Sequence, residues 1–206
     1  MFRMDRQQKV NAIAGAKVGG QPGENPPLLI ASMFHNKDRI LADRKGNFDR
    51  QKATELIRQQ EALSASTGIP GLVAMVANSA EEAKIYVDFF RETTTMPFGI
   101  DMWVAEKRAA ATEYVAKLGL QDKFLYNSIT PWDKDIRGQV TKLKDLGIKH
   151  VVVQAFDDQD QTAAGRLSSL QKLLDQGAGD FETVIVDTSV MNLPATSFSL
   201  VANRLI

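Results

Sequence analysis

None of the 206 residues is cysteine, so disulfides, thiolate nucleophiles and cysteine-ligated metals are all excluded. Histidine is nearly as scarce. His35 and His150 are the only two, too few for a His/Cys metal centre, so any metal must be held by oxygen or brought by another molecule. Neither sign of charge dominates: 25 basic and 25 acidic residues cancel, which removes the basic excess that a nucleic-acid surface requires. No apolar run approaches the ~18 residues of a membrane span. The opening MFRMDRQQKV has charges but lacks the apolar core of a signal peptide. Together these absences point to a cytoplasmic protein with no metal ligands of its own, no nucleic-acid partner and no membrane span.

What the sequence does have is rhythm. The segment QKVNAIAGAKVGGQPGE reads as a hairpin over residues 8–20, with Val10 and Ile13 on one arm, Gly15 at the turn and Val18 on the other. Short, nearly continuous apolar runs follow: Leu28–Phe34, Leu72–Ala77, Phe98–Met102, Phe124–Ile129, Val151–Phe156 and Val184–Val186. Runs of this length suit parallel strands buried on both faces. Helical patterns separate them. Asp49 caps RQKATELIRQQEALSAS, which stops at Gly68, and Ser79 caps AEEAKIYVDFFRETT with Ile85, Phe89 and Phe90 on its apolar face. VAEKRAAATEYVAKLG ends at Gly119. DKDIRGQVTKLKDLG carries Ile136, Val140, Leu143 and Leu146 at helical spacing. TAAGRLSSLQKLLDQG repeats the design with Leu167, Leu170, Leu173 and Leu174, and TSFSLVANRLI forms a last helix.

Strand and helix thus alternate six times, which implies an α/β fold with a parallel sheet and right-handed crossovers. A doubly wound dinucleotide-binding sheet would place G-x-G-x-x-G after its first strand, but that link here is the glycine-poor HNKDRILADRKGN. A (β/α)8 TIM-type barrel accounts for more, because its functional groups sit at the C-terminal ends of several strands. Three runs end on a polar side chain: PFGID on Asp101, KFLYN on Asn127 and TVIVD on Asp187. A strand-end carboxylate or amide often caps the next helix. Here each follows its apolar run immediately, several residues before its helix. Two acceptor carboxylates and an amide that both donates and accepts suit a planar heterocycle with adjacent N–H groups and carbonyls. They suit a phosphate poorly.

The ordered set GGQPGENPPLLIASMF, GNFDRQKATELIRQQEALSASTGIP, FGIDMWVAEKRAAATEYVAKLGLQDKFLYNSIT and VVVQAFD resembles the family of the H subunit of tetrahydromethanopterin S-methyltransferase, and among its members the bacterial methylcobalamin:tetrahydrofolate methyltransferases most. The likeness runs through essentially the whole chain. It implies a single pterin-binding barrel domain over residues 1–206 with about six of eight βα units present, units seven and eight being absent. It also implies transfer of a methyl group between a corrinoid (methylcobalamin) carried by a partner protein and N5 of a tetrahydropterin, tetrahydrofolate or tetrahydromethanopterin. Asp101, Asn127 and Asp187 are carried over as pterin ligands, with Asp101 and Asn127 also in the catalytic role. Asn78 and Glu24 are further pterin-facing candidates, at the end of AMVAN and in GGQPGE. Met102 and Trp103 stand where relatives have small residues after the aspartate, and Asp157 where they often have asparagine. His35 is a candidate near the corrinoid or a loop histidine. Trp103 and Trp132 are candidates for stacking on a ligand or for packing. The corrinoid protein is the expected partner, and exposed sheet edges lead us to expect a homodimer. Two rival readings are a noncatalytic binding module and a pterin barrel of the dihydropteroate synthase type.

Overall fold

Ala14 and Gly15 both take positive φ, 49° and 85°, the backbone of a two-residue type I′ turn. They close a hairpin of β1 (Val10–Ile13) on β2 (Ala16–Gly19), with Ile13 paired to Ala16 and Val10 to Gly19. The expected first element is therefore present. The computed structural model describes residues 3–43 and 45–206. Beyond the hairpin, strands and helices alternate as the apolar runs require: β3 (Leu29–Met33), α1 (Arg50–Thr67), β4 (Gly71–Val76), α2 (Ala80–Thr93), β5 (Phe98–Asp101), α3 (Ala105–Lys117), β6 (Phe124–Ile129), α4 (Ile136–Asp145), β7 (His150–Gln154), α5 (Ala163–Leu174), β8 (Thr183–Asp187) and α6 (Thr196–Leu205).

Strands β3 to β8 form one sheet in strictly sequential order. A doubly wound sheet would reverse its order partway, and no reversal occurs among the described residues. Internal contacts divide the chain into two compact units, Met1–Leu125 and Tyr126–Ile206.

In the first unit, β3, β4 and β5 are parallel, with Met33 opposite Met75 and Val76 opposite Asp101. The central strand β4 is buried, with Leu72 and Met75 fully enclosed. The first apolar run predicts a strand buried on both faces. Instead Leu29 and Ile30 are 54% and 48% exposed, because β3 has β4 as its one neighbour in the sheet order. The expected caps are in place. Asp49 accepts the Lys52 N–H at 3.1 Å, and the α1 carbonyl of Ser64 is met by the N–H of left-handed Gly68. Ser79 accepts the Glu82 N–H at 3.1 Å at the start of α2. That helix buries the expected Phe89 and Phe90, while Ile85 turns outward and Tyr86 takes its place on the inward face. The Phe34 ring stacks on Tyr86 at 4.0 Å and meets Phe48 edge-on at 4.8 Å, which gathers both ends of the link between β3 and α1 onto α2.

In the second unit β7 and β8 are parallel, with Gln154 opposite Asp187. Helix α4 buries Ile136, Val140 and Leu143 as its spacing predicts. Helix α5 departs from the leucine stripe expected of it. Its inward face is Arg166, Ser169, Leu170 and Leu173, and Leu174 is at the surface. Leu170 and Leu173 lie where the stripe puts them, and a guanidinium and a hydroxyl share the buried face with them.

Candidate functional site

Asp101 and Asp187 stand at the C-terminal ends of their strands, and each unit contributes its own set of the polar residues singled out above. In the first unit, Asp101 is the last residue of β5 and is exposed. Its carbonyl accepts the Ala77 N–H at 3.1 Å, so the residue after Ala77, Asn78, is brought beside it. Asn78 is held from below: its N–H and its side-chain amide both donate to the buried Glu82 carboxylate, at 2.6 and 3.2 Å, and Lys107 donates to its carbonyl at 2.8 Å. Behind Asp101, the Met102 carbonyl receives the buried Arg108 guanidinium at 2.9 Å. Glu24 is exposed, and its carboxylate accepts the N–H of Gln21 at 2.7 Å, closing its own turn. His35 is also exposed, its Nδ1 2.9 Å from the Asn36 carbonyl. Trp103 is 84% exposed, directly after Met102.

In the second unit Asn127 is not at a strand end. It is the fourth of the six residues of β6, half-buried, and its peptide bond to Ser128 is cis. Asp187 is the last residue of β8, and its side chain is presented to solvent in a defined direction. Ser189 donates to it twice, N–H to Oδ1 at 2.7 Å and Oγ to Oδ2 at 3.4 Å. Gln154, the polar end of β7, donates Nε2 to Ser189 Oγ at 2.8 Å, and the Ala155 N–H meets the Asp187 carbonyl at 2.8 Å. Gln154 and Asp187 are therefore brought together. Neither Gln154 nor Ser189 stands out in the sequence. The only signal is a glutamine interrupting the apolar run VVVQAF.

A separate cleft of about 420 Å³ lies in the second unit, lined by Trp132, Asp133, Phe156, Asp157, Lys172 and Leu173 among others. Trp132 stacks over Phe156 at 6.1 Å, in keeping with a packing role. None of the five expected pterin residues lines it. At the edge of α5, the Thr162 hydroxyl, with its N–H, donates to Asp160 and holds that carboxyl below the usual carboxylate range. Among the described residues no group of three or more His, Asp or Glu side chains is placed to hold a metal ion, and no helix is long and apolar enough to cross a membrane.

Fold and strand ends define an α/β protein of the strand–helix repeat class that displays carboxylates and amides beyond its parallel strands. Comparison with known proteins makes this specific. The family described as "Tetrahydromethanopterin S-methyltransferase MtrH subunit" matches residues 6–203, and the chain belongs to that family. It is 35% identical over 188 residues to the H subunit of tetrahydromethanopterin S-methyltransferase of Methanothermobacter marburgensis, covering 91% of this chain and 59% of the relative. It is 37% identical over 183 residues to the H subunit of "Putative methyltransferase mtx" of Methanosarcina mazei, covering 88% and 57%. The H subunit of tetrahydromethanopterin S-methyltransferase of Methanosarcina acetivorans is 36% identical over 173 residues, covering 83% and 54%. The chain thus spans under two thirds of the length of these relatives. The family resemblance read from the motifs is borne out.

Proposed function

We propose that this chain is the pterin-binding part of a methyltransferase that moves a methyl group between N5 of a tetrahydropterin and a corrinoid carried by a partner protein. Membership of the MtrH family is the observation that carries the reading, since relatives are named for action on tetrahydromethanopterin. The geometry of Asp187 supports it. An exposed carboxylate with both oxygens oriented by Ser189 offers a directed acceptor pair. The edge of a pterin that bears N3–H and the 2-amino group offers the matching donor pair, and a bidentate charge-assisted contact of this kind fixes direction as well as affinity. Asn127 is a further pterin-facing candidate in the second unit, and Asp101, Asn78 and Glu24 are those of the first.

The chemistry asks for orientation and proton placement. When the methyl leaves N5 for cobalt(I), the C–N bond pair stays on nitrogen, and N5 must be protonated or hydrogen-bonded to accept it. In reverse, neutral N5 attacks the methyl on cobalt(III). The protein's part is to hold the ring in line and to tune its proton affinity, and we assign the orienting part to Asp101 and Asn127. Tetrahydromethanopterin is the pterin that the relatives' names favour, and tetrahydrofolate is the alternative to be tested beside it. We further read residues 1–206 as a single domain of (β/α)8-barrel type with about six of the βα units, from a homodimeric cytoplasmic protein. The sequential strand order supports the barrel.

The test follows methylcobalamin consumption by absorbance with each pterin as acceptor. Transfer that falls ~10- to 100-fold in Asp187→Asn supports the assignment, since losing a charged hydrogen-bond acceptor costs ~1.5–3 kcal/mol. Absence of binding to either pterin sinks it. Binding without transfer favours the noncatalytic module.

A further inference from the structure

Arg166 is fully buried, at 0% exposure, on the inward face of α5. Burying a guanidinium is costly unless its donors are used. Here they are spent on main-chain carbonyls: Nε donates to Thr188 at 2.8 Å, Nη2 to Ser189 at 3.1 Å and Nη1 to Gln161, while the guanidinium lies over Phe156 at 5.3 Å. Ser199 of α6 adds a second clamp on the same two carbonyls, its Oγ 3.0 Å from Thr188 O and 3.1 Å from Ser189 O. These are the two residues directly after Asp187. Both are buried although Asp187 is exposed, and Ser189 takes positive φ, 49°. The Ser189 N–H and hydroxyl are the groups that aim the Asp187 carboxylate.

We infer that Arg166 is a positioning residue: by fixing the peptide planes of Thr188 and Ser189 it sets the direction of the Asp187 carboxylate. A rigid planar fork spanning two successive carbonyls fixes orientation in a way that a single flexible ammonium does not. The first unit repeats the device, with buried Arg108 holding the carbonyl of Met102, the residue after Asp101. Two strand-end aspartates, each followed by a carbonyl gripped by a buried arginine, point to a shared purpose beyond packing. The inference rests on the reading of Asp187 as a pterin acceptor.

A double-mutant cycle tests it. Arg166→Lys and Ser199→Ala are each made in the wild-type and in the Asp187→Asn background of the full chain. Dissociation constants for tetrahydrofolate and tetrahydromethanopterin are measured by calorimetry well below each variant's thermal midpoint. The expected result is a loss of ~10-fold for Arg166→Lys and ~3-fold for Ser199→Ala with aspartate present, shrinking to under ~2-fold with asparagine, because groups in one hydrogen-bond network couple and a merely structural loss does not. Equal losses in both backgrounds overturn the inference, as do lowered midpoints with unchanged affinities. If Arg166→Lys fails to fold, the Ser199→Ala pair decides alone. If Asp187→Asn itself binds as tightly as wild type, the reading of Asp187 has failed and the inference falls with it. That outcome is distinct from a failure of the clamp, in which Asp187→Asn weakens binding and the clamp variants do not.

Discussion

Removing the Thr94 hydroxyl should cost stability at neutral pH and progressively less in acid. Thr94 caps α2, its N–H reaching the Phe90 carbonyl at 2.9 Å, and its Oγ1 donates to Glu61 of α1 at 2.5 Å while accepting the Met96 N–H at 3.1 Å. Two helices and the approach to β5 therefore meet at one hydroxyl. That hydroxyl, and after it the Arg58 guanidinium 2.7 Å away, holds the Glu61 carboxyl below the usual range. A depressed folded-state value means that the contact stabilises above the unfolded value of ~4.3 and is lost as pH falls through the folded one. A buried charge-assisted hydrogen bond is worth ~1.5–3 kcal/mol. The Glu61 side chain is 29% exposed and keeps Arg58, which trims the expectation for Thr94→Val to ~1 kcal/mol. In a chain of this size that lowers the thermal midpoint by ~2–4 °C. The assay compares melting of the two proteins from pH 7 to pH 3. The gap should narrow steadily below about pH 4.5, leaving only the remainder due to the Met96 N–H. A gap of constant size would refute the reasoning, because a pH-independent loss comes from packing or from Met96 and not from the carboxylate.

Two further outcomes follow from packing. Phe34→Ala should destabilise by ~3–5 kcal/mol, as for other buried aromatics, and Phe34→Leu by clearly less; chemical denaturation would show it, and near-neutrality would mean that the aromatic cluster does not anchor the link between β3 and α1. Gly165→Ala should cost ~1–3 kcal/mol, because a Cβ there meets the Asp160 carbonyl and carboxylate beneath the first turn of α5; an unchanged melting midpoint would show that this loop yields freely.

Element order, caps and the parallel character of the strands are legible in the sequence because local chemistry dictates them. Asp49, Ser79 and Gly68 sit where an orphan N–H or a left-handed residue is needed whatever the tertiary context. The exposure of β3 is not legible, because an apolar run has the same composition at an edge as at a centre, and only pairing order tells them apart. The α5 stripe is legible only at Leu170 and Leu173, for a different reason. Periodicity counts leucines, and Arg166 and Ser169 look solvent-facing to such a count, yet Arg166 reaches the Thr188 and Ser189 carbonyls and Ser169 that of Phe156, all more than ten residues away in sequence.

The same division runs through the site. Asp101 and Asp187 can be found from sequence because a carboxylate closing an apolar run is conspicuous. Asn127 looks like a strand end in the same way, but β6 continues through Ser128 and Ile129, and the cis bond that follows it has no signature in YNSI. What aims Asp187 is invisible in the sequence for a more basic reason. Its support comes from Ser189 two residues on, Gln154 on the neighbouring strand, Arg166 on the helix before and Ser199 on the helix after. None of these residue types is unusual alone. They gain meaning only when the β7–β8 register and the return of α5 and α6 bring them to one strand end. A carboxylate at a strand end is thus written in a single residue, while the contacts that fix its direction are distributed along the chain, and only the folded chain displays them.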